Sequence, residues 1–366
     1  MDIKNYIFER LHSGPLFKRN ERDYSMFWLS SFGDAHTKAN EKWANNSITL
    51  AFVIFKNMVS SYYRLAGDDE NLMIEIVKNI QANPQLKGEI FKDYSDAGDR
   101  LFEMYDEIEK REEFDKEFIR ELSFQMNKIL IGQICILHRA DSFVKHFGVI
   151  PGLPEEIMEL RKKYESAFGL FETNLEKIFK KVMLNVKDAT LQDFKLLTPE
   201  ELIESIISGE LPKEKIEERK GLAIMNYLPE PQILVENLAQ EVYLEIRANE
   251  EKYNPSLNSK EITGQTVYQA GVIKGVCKVI TDYDQVKTLE EGFILVTPST
   301  LPKYNDIYKR AKAIITNEGG ILSHVAILSR EFKIPAVFGT KIATQVLKDG
   351  IEVEIDTEKG VIRIIK

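Results

Sequence analysis

Over most of the first 250 or so positions, apolar residues recur at three- and four-residue spacing between charged ones, which predicts long amphipathic helices. The clearest stretches are 101–110, 114–147 and 155–186, with Pro151 and Pro154 breaking the pattern between the last two. The segment LLTPEELIESIISGELP carries its own punctuation. Thr198 suits an N-cap, Pro199 the first turn and Glu201 the capping-box position, and Gly209 can stop the helix.

The texture changes after residue 246. RANEEKYNPSLNSKEITGQ is polar, carries Asn, Pro, Ser and Gly, and reads as a linker. Short β-like segments follow: TGQTVYQA, VIKGVCKVIT, FILVTP, AKAIIT, PAVFG, IEVEID and VIRIIK. Short helices are expected between them near 302–311, 323–332 and 341–347. Asp349-Gly350 and Lys359-Gly360 mark tight turns. The expected architecture is multidomain. A mainly α-helical N-terminal domain covers 1–246, a linker 247–261, and a C-terminal α/β domain 262–366.

Composition narrows the function. A chain of 366 residues with 43% hydrophobic positions can bury large cores in two or three domains. A net charge of -9 argues against a broad nucleic-acid footprint, which needs clustered surplus Lys and Arg. Cys135 and Cys277 lie far apart in apolar surroundings, as expected of buried free thiols in a reducing cytoplasm. MDIKNYIFERLH is no signal peptide, and ITLAFVIF is too short to span a bilayer, so a cytoplasmic protein without membrane attachment is expected.

Candidate chemistry concentrates in TNEGGILSHVAILSREFKIPAVFGT, residues 316–340. Gly319 and Gly320 permit backbone angles that a Cβ resists, and they let another molecule approach closely. Ser323 suits an N-cap, which sets His324 in the first turn of a helix whose face is begun by Val325, Ala326 and Leu328. Free N–H groups and the positive dipole end favour an anion there. A neutral imidazole is a competent nucleophile. Arg330 can add charge. The same features also fit a histidine that only caps or packs.

The segment resembles the phosphohistidine signature of the phosphoenolpyruvate-utilising enzymes. That family includes phosphoenolpyruvate synthase, pyruvate phosphate dikinase, rifampicin phosphotransferase and enzyme I of the sugar phosphotransferase system. The pattern, Thr-x-x-Gly-Gly-x-x-Ser-His-x-Ala-Ile-x-x-Arg-Glu-x-x-Ile-Pro-Ala-Val-x-Gly-Thr, is matched from Thr316 to Thr340. GFILVTPSTLPKY is similar to the family's strand and threonine-bearing loop, with Thr300 in the matching place, and DGIEVEIDTEKGVIRI to its closing hairpin. The resemblance covers 262–366. It implies a swivelling phosphohistidine (β/β/α) domain, with His324 as phosphoryl carrier and Gly319, Gly320, Ser323, Thr300 and Arg330 around the phosphoryl group. Two departures stand out: Gln269-Ala270-Gly271 replaces the usual Ser-Pro-Gly, and Leu322 replaces a threonine that is a regulatory site in some dikinases.

Relatives load this histidine from an ATP-grasp domain or a phosphoenolpyruvate-binding barrel. The N-terminal part shows no glycine-rich phosphate loop after a strand, and no barrel is expected beyond the carrier. The resemblance therefore implies Mg²⁺ and ATP on an ATP-grasp-type partner, no cofactor and no metal on this chain, and a small-molecule acceptor. A carrier loaded from phosphoenolpyruvate by a separate barrel protein, or a non-enzymatic regulatory module keeping the fold, are the alternatives. LQDFKLLTPEELIESIISGELPKEKIEERKGL, ending in the basic pair Arg219 and Lys220, is similar to a segment that precedes the carrier in relatives. By analogy, 1–246 is an acceptor-binding or partner-docking domain. FWLSSFGDAHTKANEKW offers an aromatic wall with an acid and an imidazole, through Trp28, Asp34 and His36, for a hydroxylated acceptor; ordinary core aromatics with a surface Asp-x-His explain the same residues. In ILHRADSFVKH, His138, Asp141, Ser142 and Lys145 share one helical face, most simply a solvated one.

Overall fold

The computed structural model describes residues 2–22, 24–43, 45, 49–56, 59–135, 153–254, 259–281, 290–300, 305–319 and 324–365. The architecture is mixed α/β. Contacts divide the chain into two compact units, one of residues up to 19 and 24–246, the other of 20–23 and 247–366.

The first unit is not helical alone. It contains a five-stranded sheet in the order β1 (Leu16–Arg22), β3 (Val59–Leu65), β2 (Ala51–Lys56), β4 (Leu222–Asn226), β5 (Gln232–Leu234). The β3–β2, β2–β4 and β4–β5 pairs are antiparallel. The expectation of a mainly helical domain missed this sheet for a physical reason. Central strand β2 is covered on both faces, so AFVIF has no alternation to betray it. Phe52 and Ile54 face a core shared with Tyr6, Ile7, Val242 and Ile246. Ala51, Val53 and Phe55 face a larger core built from the long helices. Those helices include Met26–Trp43, Asp68–Ala82, Gln85–Lys110, Lys116–Cys135, Leu153–Gly169 and Phe171–Met183. The last two divide the single stretch expected over 155–186, with Leu170 between them.

The punctuated helix forms as its sequence asks. Pro199–Ser208 is capped by a reciprocal Thr198–Glu201 box and ends at Gly209 with φ 72°. The linker expected over 247–261 needs correcting in its first half. Helix Glu236–Tyr253 runs through it, because Ile246 continues the apolar face set by Ala239 and Val242. In the second unit, the Gln345 Nε2–H donates to Glu250 Oε1 at 2.9 Å, and Asn249 and Glu250 are buried. Residues 255–258 lie outside the described residues, as do His138, Asp141, Ser142 and Lys145.

The second unit is a seven-stranded mixed sheet in the order β10 (Ala336–Val337), β9 (Ala313–Thr316), β8 (Ile294–Thr297), β7 (Val272–Val279), β11 (Glu352–Asp356), β12 (Val361–Ile364), β6 (Glu261–Thr263). Strands β7, β8, β9 and β10 run parallel. Strands β11, β12 and β6 complete it antiparallel. In the parallel half both faces are covered, so β8 and β9 are buried throughout. Ile294, Val296, Ala313 and Ile315 face one core, and Leu295 and Ile314 the other, with Val325, Ala326 and Leu328 of helix His324–Phe332. In the antiparallel half the outer face is wet, and Lys274, Glu354, Arg363 and Glu261 form a ladder of ion pairs across it. The TGQTVYQA stretch forms little strand: β6 ends at Thr263 and only Gln265 bridges on, to Phe338.

Candidate functional site

Parallel β8, β9 and β10 deliver the loops that follow them to one edge of the second unit's sheet. Carboxyl ends of parallel strands are where open α/β sheets hold ligands. The loops are laced together by backbone and side chain. The Asn317 N–H donates to Thr297 O at 3.3 Å and the Glu318 N–H to Pro298 O at 3.0 Å. The Thr340 N–H and Oγ1–H both donate to Thr316 O, at 3.1 and 2.9 Å. The Asn317 carboxamide grips Thr344, donating to Oγ1 at 2.6 Å and accepting from N–H at 3.0 Å. Thr316, Thr340 and Asn317 are all buried, so these polar side chains hold the edge together.

Two glycines let the loops close on each other. Gly319 has φ 127° and Gly339 φ 70°, both in the region that side chains avoid. A Cβ on Gly339 would also stand 2.9 Å from the Gly319 carbonyl oxygen. Helix His324–Phe332 opens five residues beyond Gly319. It connects parallel β9 and β10, so it runs back against them and its N-terminus lies at the same edge. First-turn amides without helical partners are thereby collected beside the loops of Thr300 and Gly319.

Of the residues singled out in the sequence, Thr300 is buried beside this edge and Gly319 is at it. The His324 backbone begins the helix; its side chain, and Gly320, Leu322 and Ser323, lie outside the described residues. Arg330 is exposed in the last turn, about 9 Å of axial rise and roughly 240° around the helix from His324. Ile327, one turn from His324, is 44% exposed, whereas Val325, Ala326 and Leu328 are buried. An open apolar side chain therefore stands one turn from the start of the helix.

Trp28, Asp34 and His36 do not converge. All three lie on helix Met26–Trp43, but Asp34 and His36 are two positions apart and point to different faces. Asp34 is at the surface, where partial burial raises its carboxyl pKa despite Lys38 nearby. His36 is fully buried in a cage of Phe32, Tyr62 and Tyr227 rings. Its Nδ1 lies 3.0 Å from the Phe32 carbonyl, which can only accept, so Nδ1 carries the proton. In the neutral ring Nε2 then accepts from the Tyr62 hydroxyl at 2.6 Å. Trp28 is buried and stacked between Tyr24 and Phe32. Trp28 and His36 are thus core residues, while Asp34 alone of the three is at the surface.

The basic residue of LQDFKLLTPEELIESIISGELPKEKIEERKGL has a structural partner. Arg219 is buried and grips Glu201 in a two-pronged pair, at 2.5 Å from Nη1 and 2.8 Å from Nη2, while donating to Leu196 O at 2.7 Å. Burial alone would raise the Glu201 carboxyl pKa, but Arg219, the Thr198 N–H and Lys215 outweigh it and hold it at about 2. Cys277 is a buried free thiol, its pKa pushed up to about 12 by burial and by nearby Asp349. Among the described residues no cluster of three or more metal-ligating side chains occurs. No helix among them is long and apolar enough to cross a membrane.

Sequence reasoning missed the Asn317–Thr344 clamp. Thr344 lies beyond the motif, and a side-chain bond across 27 residues leaves no periodic trace.

Comparison with known proteins bears on the second unit. Residues 289–360 match the family described as PEP-utilising enzyme, mobile domain. The chain is 51% identical over 92 residues to a probable phosphoenolpyruvate synthase of Archaeoglobus fulgidus, covering 25% of this chain and 12% of that protein. It is 41% identical over 112 residues to the chondramide synthase cmdD of Chondromyces crocatus, covering 31% of this chain and 3% of that one. It is 35% identical over 125 residues to the uncharacterized phosphotransferase YvkC of Bacillus subtilis, covering 33% and 15%. The chain thus spans a small fraction of the length of these relatives.

Proposed function

We propose that this chain is a phosphotransferase component in which His324 carries a phosphoryl group from a donor to an acceptor. The observation that carries the reading is the residue-for-residue signature from Thr316 to Thr340, set at the carboxyl edge of the parallel strands with His324 opening a helix. A ring nitrogen of neutral His324 attacks phosphorus. The N–P bond forms as the P–O bond to the donor's leaving group breaks. An acceptor oxygen then attacks phosphorus and the ring leaves as imidazole. Backbone amides of the helix start and of the Gly319 loop would meet the phosphoryl oxygens, together with Gly320, Ser323 and the Thr300 loop. Arg330 has the weakest claim of the predicted set, given its place on the helix.

Phosphoryl transfer depends on positioning and on neutralising charge around the donor. In this reading ATP and Mg²⁺ are held by an ATP-grasp-type partner, and the first unit meets the acceptor or docks that partner. The test is intact mass after incubation with Mg-ATP and such a partner chain. One phosphoryl group should be gained, lost on mild acid treatment and kept in alkali. The His324→Ala variant should gain none while its circular dichroism stays unchanged. Labelling that persists in that variant overturns the assignment.

A further inference from the structure

We propose that Asn317 is a positioning residue for phosphoryl transfer: through its clamp on Thr344 it sets the Gly319 loop, and it does not itself touch the phosphoryl group. The inference rests on the phosphotransfer reading and adds to it a residue outside the expected set. Three segments are tied at Asn317. Its N–H donates to Thr297 O at 3.3 Å, at the end of β8. Its carbonyl accepts from the Lys341 N–H at 2.9 Å, beyond β10. Its carboxamide donates to Thr344 Oγ1 at 2.6 Å and accepts from the Thr344 N–H at 3.0 Å, in the short helix Ala343–Val346. Gly319 lies two residues on, at φ 127°.

The tie holds a backbone that would otherwise relax. Lys341 has φ 67°, a left-handed conformation that a Cβ makes costly, and its N–H is the one held by the Asn317 carbonyl. Such outliers persist where their surroundings over-determine them, and they gather where geometry serves function. Asn317 and Thr344 are each 8% exposed, so water cannot readily take over a bond that is removed. An apolar pair would fill the same space without having to satisfy a carboxamide. What the carboxamide adds is direction, one donor and one acceptor aimed at a single residue. Donors meant for a developing charge must stand in place before the reaction, and a small displacement of their loop is enough to slow it.

The experiment uses the full chain and needs no partner. Phosphoramidate passes its phosphoryl group to an imidazole nitrogen: one N–P bond breaks with release of ammonia as the other forms. Labelling is followed by intact mass, with His324→Ala correcting for the other histidines, at a temperature where circular dichroism shows every variant folded. Asn317→Ala should be labelled at His324 about tenfold more slowly than the wild type. Thr344→Val removes only the Oγ1 acceptor and should be slowed less. Thr344→Ser keeps both bonds and should return to the wild-type rate. A residue that served stability alone would leave the rate of a folded chain unchanged. If Asn317→Ala fails to fold, the contrast between Thr344→Val and Thr344→Ser decides. Wild-type labelling at His324 with equal rates in the variants overturns this inference and leaves the phosphotransfer reading standing. A wild-type chain that takes no phosphoryl group at His324 overturns both.

Discussion

At the residue scale, the Glu201–Arg219 pair shows how a motif position can serve the fold. Glu201 closes the capping box at Thr198 and also neutralises a buried guanidinium. Removing its charge strands Arg219 in the core, so Glu201→Gln should cost about 3 kcal/mol at neutral pH. The carboxyl sits at about 2 in the folded chain, below its ordinary value of 4.5. A depressed carboxylate stabilises fully above its unfolded pKa and loses that contribution as pH falls toward the folded one. Urea midpoints of the wild type and Glu201→Gln should therefore converge between about pH 4.5 and 2. A gap that stays constant through that window would mean that the charge is not the source of the stability. The capping box was legible from Thr198, Pro199 and Glu201, because local hydrogen bonds write themselves into neighbouring positions. Arg219 was legible only as one of a basic pair, since its partner lies 18 residues away and only the fold brings the two together. Asp34 and His36 erred the other way: adjacency in sequence suggested a pocket that helical geometry takes apart.

At the element scale, the long helices approach their neighbours through glycines that fit tyrosine rings. A Cβ on Gly33 would come within 2.5 Å of the Tyr227 ring, and one on Gly98 would overlap the Tyr164 ring, itself buried and edge-on to Tyr94. Gly88 lies on the same helix as Gly98, yet nothing stands within 4 Å of where its Cβ would be. The two sites should respond to alanine with opposite signs. Gly88→Ala should stabilise by about 0.5–1 kcal/mol through helix propensity. Gly98→Ala gains the same propensity but must displace an aromatic ring, for a net loss of about 2 kcal/mol. Denaturant unfolding of both variants decides it, and stabilisation by Gly98→Ala would show that the helices can part at no cost. Element type was readable wherever one face met water, as in the amphipathic helices and in β11 and β12. It was unreadable in β2 and β4, whose short apolar runs sit among long helical patterns and pair with each other across more than 150 residues.

At the scale of the whole molecule, the two units are built around separate cores, and the second is closed by its own seven strands. Lys260 already belongs to it, accepting a hydrogen bond from the Ile364 N–H. We propose that the second unit works as a body that can move independently, as delivery between a donor and an acceptor requires of one imidazole. The polar stretch NPSLNS, residues 254–259, follows the end of helix Glu236–Tyr253 and is the expected site of first proteolytic cleavage. The helical segment 247–253 should resist, since cleavage there would need a turn of helix with buried Asn249 and Glu250 to open. The fragment 260–366 should then survive and unfold cooperatively by itself, with a stability of roughly 5–15 kcal/mol for a domain of this size. Mass analysis of the first cut and calorimetry of the purified fragment test both statements. A fragment without a cooperative transition would mean that the second unit depends on the rest of the chain, and a carrier fixed in that way could not shuttle.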